Sequence, residues 1–232
     1  MDQNTQDPSM QDIKSHQRIN DILLGPLERP ALQFFARNMP AWVTPDKLTT
    51  LGVLGSVLIF ASYILTSRDP AFLWLASLGF VINWFGDSLD GTLARYRNIQ
   101  RPIYGFYVDH SLDAASESLI FIGLGLSPYV RLDLALLALV GYLLMSILVY
   151  IRTCVDGVFK ISYGKLGPTE VRLIAIIANT VLFFSSNPQW ITSVGTFGVY
   201  DLIVSVIIVL LFSFFITTTF QDIRRLQHVD GK

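Results

Sequence analysis

The chain has 232 residues, of which 52% are hydrophobic and only 15% are charged. This balance is far from that of a soluble domain and indicates an integral membrane protein. The formal net charge is −1 and no long basic run occurs, which excludes the Lys/Arg-rich face of a nucleic-acid-binding protein. The single cysteine, Cys154, lies inside an apolar run and has no second thiol for a disulfide or a metal site, so it is predicted to be buried and chemically silent.

The N-terminal part of the chain precedes any stretch that could cross a bilayer. Residues 1–18 are predicted to form a polar tail. Residues 19–44 mix apolar side chains with Arg29 and Arg37 and end near Trp42. This composition is typical of an amphipathic helix lying in the cytoplasmic membrane interface, with the tryptophan at headgroup depth.

Six apolar stretches of about 20 residues follow, which is the length needed to cross a bilayer. Thr44-Pro45 and Asp69-Pro70 are typical helix starts for the first two. We therefore expect an all-α fold in which residues 45–222 form a six-helix membrane domain and residues 223–232 a cytoplasmic C-terminal tail. The predicted spans are 46–66, 70–95, 104–127, 133–154, 168–186 and 198–220.

The distribution of Lys and Arg predicts the orientation of these spans. With the N-terminus in the cytoplasm, fifteen of the seventeen Lys and Arg residues fall in cytoplasmic segments, and only Arg68 and Arg131 fall outside. Positive charge in short loops stays on the cytoplasmic side. Both termini are therefore predicted to be cytoplasmic.

Four aspartates in or near the second and third spans are the most informative residues. An ionised Asp at the bilayer centre costs about 2.5–3.5 kcal/mol, so the group needs compensating positive charge. Asp87 and Asp90 are three residues apart, and Asp109 and Asp113 are four apart, so each pair shares one helix face. Carboxylates without Cys or His at ligand spacing favour Mg²⁺, Mn²⁺ or Ca²⁺, and two such ions would balance four negative charges.

The residues that follow the first pair favour a bulky anionic ligand. Gly91 and Ala94 leave room close to the helix backbone, and Arg95 supplies a fixed positive charge for phosphate oxygens. The alternative is that the aspartates are structural helix-end charges, each paired with Arg95, Arg97 or Arg101. That alternative stays open for any single aspartate, but it explains the whole set poorly.

The arrangement of these residues resembles the signature of the CDP-alcohol phosphotransferase family. In this chain it reads Asp87-x2-Asp90-Gly91-x2-Ala94-Arg95-x9-Gly105-x3-Asp109-x3-Asp113. The family pattern has eight residues before the second glycine, whereas nine stand here, from Tyr96 to Tyr104. The longer loop puts nucleotide contacts in question but leaves the spacing within each helix unchanged. Weaker similarity covers residues 45–172 and includes Pro45 to Thr49.

The resemblance implies a homodimeric six-helix enzyme whose cavity opens to the cytoplasm. Its implied partners are membrane lipids, a CDP-linked lipid donor and a small or phosphorylated alcohol acceptor. The expected donor is CDP-diacylglycerol, and the reaction would release CMP. Two Mg²⁺ or Mn²⁺ ions per site would be held by Asp87, Asp90, Asp109 and Asp113. Asp113 would, in addition, take the proton of the acceptor hydroxyl. The nucleotide and its phosphates would contact Thr49, Asp90, Gly91, Ala94, Arg95 and Gly105.

The acceptor side of the site is less defined. Arg152, Lys165 and Arg172 surround the loop after the fourth span and are candidates for binding a phosphate-bearing acceptor or lipid headgroups. The alternative is that they are ordinary positive-inside charges. His110 points about 100° away from Asp109 on a helix and is a candidate for contacting the acceptor. Glu117, one turn beyond Asp113, is expected to support the ligands and not to bind metal.

Other functional classes share some of these features. Choline and ethanolamine phosphotransferases of the family often carry Asp-His where this chain has Asp109-His110, which hints at that branch. A transporter or channel would also bury acids, but it should show discontinuous helices or paired halves, and the sequence has no evident repeat. A structural scaffold would need none of the Gly, Ala and Arg residues beside the acids.

Overall fold

The computed structural model describes residues 17–19, 23–156, 158–160, 167–185, 187–192 and 195–230. Helices make up 81% of the part of the chain that the structure describes, as expected for an all-α membrane protein. Two short strand pairs accompany the helices: β1 (Gln17–Ile19) runs parallel to β2 (Val158–Lys160), and β3 (Gln189–Thr192) antiparallel to β4 (Gly195–Gly198). The helices are α1 (Gly25–Asn38), α2 (Pro45–Leu65), α3 (Phe72–Tyr96), α4 (Pro102–Gly125), α5 (Leu132–Asp156), α6 (Pro168–Phe184) and α7 (Val199–Asp230).

Four of the described helices, α2, α3, α5 and α7, are long and apolar enough to cross a membrane. The other two predicted spans are also helices, but α4 carries three acids and α6 has only 17 residues. The number of spans and the side on which the termini lie therefore stay predictions. Helix α7 continues to Asp230, so most of the segment predicted as a tail is helical.

Helices α2 and α3 form the most extensive helix pair, and glycines set their separation. A Cβ atom on Gly86 would lie 2.5 Å from the Leu48 carbonyl oxygen and 2.7 Å from Gly52 Cα. The two backbones thus touch directly, which is how membrane helices pack closely without a hydrophobic driving force between them. This contact places the motif-bearing end of α3 against the first turns of α2.

The remaining helices are arranged around this pair. Helix α4 packs against α2 and α5, α6 packs against α3, and α7 packs against α5. Cys154, near the end of α5, is exposed, so the prediction of a buried thiol is wrong. In a membrane protein apolar runs face lipid as well as the core, so the apolar setting of Cys154 did not imply burial.

The predicted amphipathic segment contains helix α1, whose apolar face is docked on the bundle. Leu32 and Ala36 are buried and belong to the same core cluster as Leu89 and Leu93 of α3. The segment between residues 19 and 44 thus contains a helix with buried apolar side chains against the bundle. Its location in the membrane interface stays a prediction.

Polar contacts fasten α1 and the linker after it. Glu28 Oε1 accepts hydrogen bonds of 2.8 Å from Trp84 Nε1 of α3 and of 2.8 Å from Thr169 Oγ1 of α6. Arg97, at the end of α3, donates to the backbone carbonyls of Met39 and Val43. The N-terminal helix and its linker are therefore tied to α3, which carries Asp87 and Asp90, and to α6.

Candidate active site

A small open pocket lies between α2, α3 and α4. Three of the four motif aspartates, Asp87, Asp109 and Asp113, line it. They meet because Asp109 and Asp113 are one turn apart on α4, and α4 packs against α2 beside α3. The other lining residues are Thr49, Gly52, Val53, Asn83, Leu112 and Ser116.

The fourth aspartate, Asp90, is buried beside this pocket and is only 5% exposed. Its Oδ2 accepts a hydrogen bond of 2.6 Å from Thr49 Oγ1 of α2, and its Oδ1 accepts one from the backbone N–H of Gly91. The structure therefore brings the predicted residues Thr49 and Asp90 together and holds the Asp90 carboxylate from two sides.

Asp87 is paired with a cation from a helix outside the motif. Arg172 Nη2 of α6 donates to Asp87 Oδ2 at 2.6 Å, and Arg172 Nε donates to Asn83 Oδ1 at 2.7 Å. Arg172 was predicted on the acceptor side, whereas here it reaches one of the expected metal ligands. Sequence reasoning missed Asn83, although a polar residue in an apolar span, one turn before Asp87, was a signal.

The arginines considered as structural partners of the motif aspartates make other contacts in the structure. Arg97 binds backbone carbonyls, and Arg101 pairs with Asp46 of α2. Arg95 Nη2 donates to Thr92 Oγ1 at 3.1 Å. Neither Arg97 nor Arg101 is the partner that the structural alternative required for the motif aspartates.

The small motif residues differ in the room that they leave. A Cβ on Gly91 would lie 3.3 Å from Arg95 Nη1, so the guanidinium lies across this glycine. A Cβ on Gly105 would meet nothing within 4 Å. Ala94 is half-buried on the same helix as Gly91. Gly105 thus borders open space at the start of α4.

The described candidate acceptor-side residues have different partners. His110 Nδ1 lies 4.0 Å from Asp113 Oδ2. The centroid of the His110 ring lies 4.3 Å from that of Phe106 and 4.8 Å from that of Tyr150. Arg152 is ion-paired with Asp222 of α7. Of these candidates, Arg172 contacts Asp87 and His110 lies beside Asp113, whereas Lys165 lies outside the described residues.

The donor chemistry of the pocket suits a hard divalent cation. Three carboxylates line it, and Asp113 is 41% exposed and therefore accessible from the pocket. Oxygen donors of this kind suit Mg²⁺ and Mn²⁺. Within the described residues, no group of three or more His, Cys, Asp or Glu side chains already has the arrangement of a metal site. The residue types fit the ion, and the number of ions stays a proposal.

Several proteins of known activity are similar to this chain. Cholinephosphotransferase 1 of Gallus gallus is 29% identical over 72% of this chain and 52% of its own length. Archaetidylinositol phosphate synthase of Pyrococcus horikoshii is 32% identical over 45% of this chain and 52% of its own length. The same enzyme of Methanothermobacter thermautotrophicus is 27% identical, over 73% of this chain and 83% of its own length. The chain spans about half the length of the cholinephosphotransferase that it matches.

A family model covers most of the chain. The model described as CDP-alcohol phosphatidyltransferase matches residues 42–213, which include α2 to α6 and all the motif residues. Enzymes of this family generally use divalent metals such as Mg²⁺ or Mn²⁺. With the acidic pocket between α2, α3 and α4, this match establishes that the chain belongs to the CDP-alcohol phosphatidyltransferase family.

Proposed function

We propose that this chain is a membrane transferase of phospholipid synthesis that moves a phosphatidyl group from CDP-diacylglycerol to an acceptor alcohol. The observation that carries the proposal is the position of Asp87, Asp109 and Asp113, which come from two helices and line one pocket. In a member of this family, that pocket is the place where the CDP group and the acceptor hydroxyl would meet.

Asp113 is the residue proposed to activate the acceptor. Its carboxylate takes the hydroxyl proton while the hydroxyl oxygen forms a bond to the phosphorus that carries the diacylglycerol. The bond from this phosphorus to the bridging oxygen breaks, and CMP leaves with the electron pair. The 41% exposure of Asp113 favours this role, because a general base must come within hydrogen-bond reach of its substrate.

The other motif residues are proposed to hold the donor. Arg95 contacts the phosphates, and the open space at Gly105 would admit the nucleotide. Asp87, Asp90, Asp109 and Asp113 would hold two divalent cations, whose charge would stabilise the pyrophosphate and the departing CMP. Thr49 restrains Asp90 by the hydrogen bond described above.

A second candidate is the transfer of phosphocholine or phosphoethanolamine from its CDP derivative to a lipid alcohol. Two observations favour it: the similarity to cholinephosphotransferases and the position of His110. The His110 ring lies between Phe106 and Tyr150 and beside Asp113. In this reaction the lipid is the acceptor and not the donor.

One experiment separates the two candidates. Purified full-length protein in lipid nanodiscs is incubated with Mg²⁺ and either CDP-diacylglycerol plus a panel of alcohols or CDP-choline plus diacylglycerol. CMP release and the mass of the lipid product are measured, with Asp109→Ala and excess EDTA as controls. We expect CMP and a new lipid from the first mixture only. Product from the second mixture alone would support the second candidate in place of the first. Full activity in EDTA would contradict the use of metal.

A further inference from the structure

We infer that Arg172 is a positioning residue, held by Asn83, which orients Asp87 toward the acidic pocket; this inference rests on the proposed function. The guanidinium approaches Asp87 from α6 and bonds only one of the two carboxylate oxygens, Oδ2, at 2.6 Å. Asp87 also lines the pocket between α2, α3 and α4. Arg172 therefore holds the Asp87 carboxylate on one side, and the other side of this carboxylate faces the pocket.

The orientation of Arg172 is determined by Asn83. This side chain is 4% exposed, and its Nδ2 donates to the Gly52 carbonyl at 3.0 Å and to Ser56 Oγ at 2.9 Å. Because a carbonyl oxygen only accepts hydrogen bonds, the amide nitrogen must face Gly52, and Oδ1 must face Arg172. Arg172 Nε then donates to Oδ1 at 2.7 Å.

Two contacts on one planar group determine its orientation. The guanidinium is rigid and planar, so bonds from Nε to Asn83 and from Nη2 to Asp87 define both its position and its plane. Asn83 and Asp87 are one turn apart on α3, so Arg172 spans one turn of the motif helix. Helix α6, which carries no motif aspartate, thereby controls the direction of a motif carboxylate.

The same geometry limits direct contact between Arg172 and the acceptor. Its side chain is 13% exposed, and two of its three nitrogens are used by α3. The third, Nη1, is buried and has no hydrogen-bond partner among the described residues. Because Nη1 is buried and Nε and Nη2 are bonded to α3, the arrangement favours positioning of Asp87 over contact with an acceptor phosphate. The positioning role predicts a defect in metal binding, whereas an acceptor role predicts a defect in acceptor affinity.

A matched pair of asparagines tests the inference. Asn179 of α6 is also buried, at 2% exposure. It accepts from the Tyr63 hydroxyl at 3.0 Å and donates to Ser77 Oγ at 3.2 Å. Asn179→Ala therefore removes a buried interhelical amide outside the set of residues that line the pocket. Asn83→Ala removes a comparable amide together with the anchor of Arg172.

The measurement is Mn²⁺ binding by electron paramagnetic resonance to the full chain in nanodiscs, without substrates. Loss of a side chain that orients a metal ligand typically weakens affinity about 10-fold to 100-fold. We expect at least about a tenfold loss for Asn83→Ala and wild-type affinity for Asn179→Ala. Arg172→Lys, which keeps the charge but not the two-pronged geometry, should show a similar loss, and combining it with Asn83→Ala should add little.

Steady-state kinetics complete the test. The positioning role predicts that kcat falls in Asn83→Ala and Arg172→Lys while the KM for the acceptor stays near the wild-type value. Equal Mn²⁺ affinity in Asn83→Ala and Asn179→Ala would overturn the inference. A rise in acceptor KM with unchanged Mn²⁺ affinity in Arg172→Lys would also overturn it. If the wild type binds Mn²⁺ but releases no CMP from either donor, the proposed function fails while the positioning of Asp87 is still measured.

Discussion

The hydroxyl of Thr49 on α2 donates a hydrogen bond of 2.6 Å to Oδ2 of Asp90 on α3. Asp90 is buried, and a hydrogen bond to a buried charged group contributes about 1.5–3 kcal/mol. The start of α2 thus takes part in the acidic site, although Thr49 lies 41 residues before Asp90 in the sequence.

Changing Thr49 to Val keeps the shape of the side chain and removes its hydroxyl. We expect CMP release to fall about 10-fold to 100-fold, the rate equivalent of losing this hydrogen bond. Thr49→Ser should recover most of the rate, because it restores the donor. The control is Thr50→Val, since Thr50 Oγ1 bonds the Asp46 carbonyl of its own helix at 2.8 Å. Equal losses in the two valine variants would contradict a specific role for Thr49.

Changing Asp113 to Asn separates binding from chemistry. The amide keeps one oxygen but loses the base, so we expect CDP-lipid affinity within about tenfold of the wild-type value and turnover lower by about 10²–10⁴. Asp87→Asn should weaken metal and nucleotide binding together and also lose the ion pair with Arg172. Calorimetric binding is measured beside CMP release. Normal turnover in Asp113→Asn, or loss of binding as complete as in Asp87→Asn, would refute the base role.

Changing Gly105 to Ala should have opposite effects on stability and on binding. The added Cβ meets nothing within 4 Å, and Ala is favoured over Gly in a helix by about 0.5–1 kcal/mol. We therefore expect an unchanged or higher unfolding temperature together with weaker CDP-lipid binding, since the methyl group occupies space proposed for the nucleotide. Unchanged affinity would remove Gly105 from the nucleotide site.

Labelling of introduced cysteines tests the predicted orientation. The native Cys154 is exposed and is first changed to Ser. A membrane-impermeant maleimide added to intact cells should then label Ser67→Cys, between α2 and α3, but not Gln100→Cys, between α3 and α4, until the cells are permeabilised. Both positions are exposed, so access depends on the side of the membrane. The reverse pattern would place the acidic pocket on the outer side.

The helix positions could be read from the sequence because each depends on local signals. Thr44 was predicted to start the first span, and its Oγ1 accepts from the Lys47 N–H at 3.3 Å as a helix cap does. Hydropathy located α3 and α5 to within two residues at each end. It placed the end of the last span at 220, because hydropathy detects the part that suits lipid, whereas helix α7 continues through polar residues to Asp230.

The site was predicted only where its geometry is local. Asp109 and Asp113 share a face because they are one turn apart, and both line the pocket. The contact between Arg172 and Asn83 joins residues 89 positions apart, and that between Arg152 and Asp222 joins residues 70 positions apart. Such contacts depend on how helices pack, which spacing along one chain does not determine.

The direct backbone contact at Gly86 and Gly52 bears on extraction of the protein into detergent. Since no side chain separates α2 from α3 there, this crossing does not depend on rotamers or on lipid filling a gap. Thr49, Asp87 and Asp90 lie on these two helices and should keep their relative positions in a micelle. Helix α4 begins beside open space at Gly105, so inactivation by detergent should begin with displacement of Asp109 and Asp113, and returning lipid should restore activity without refolding the α2–α3 pair.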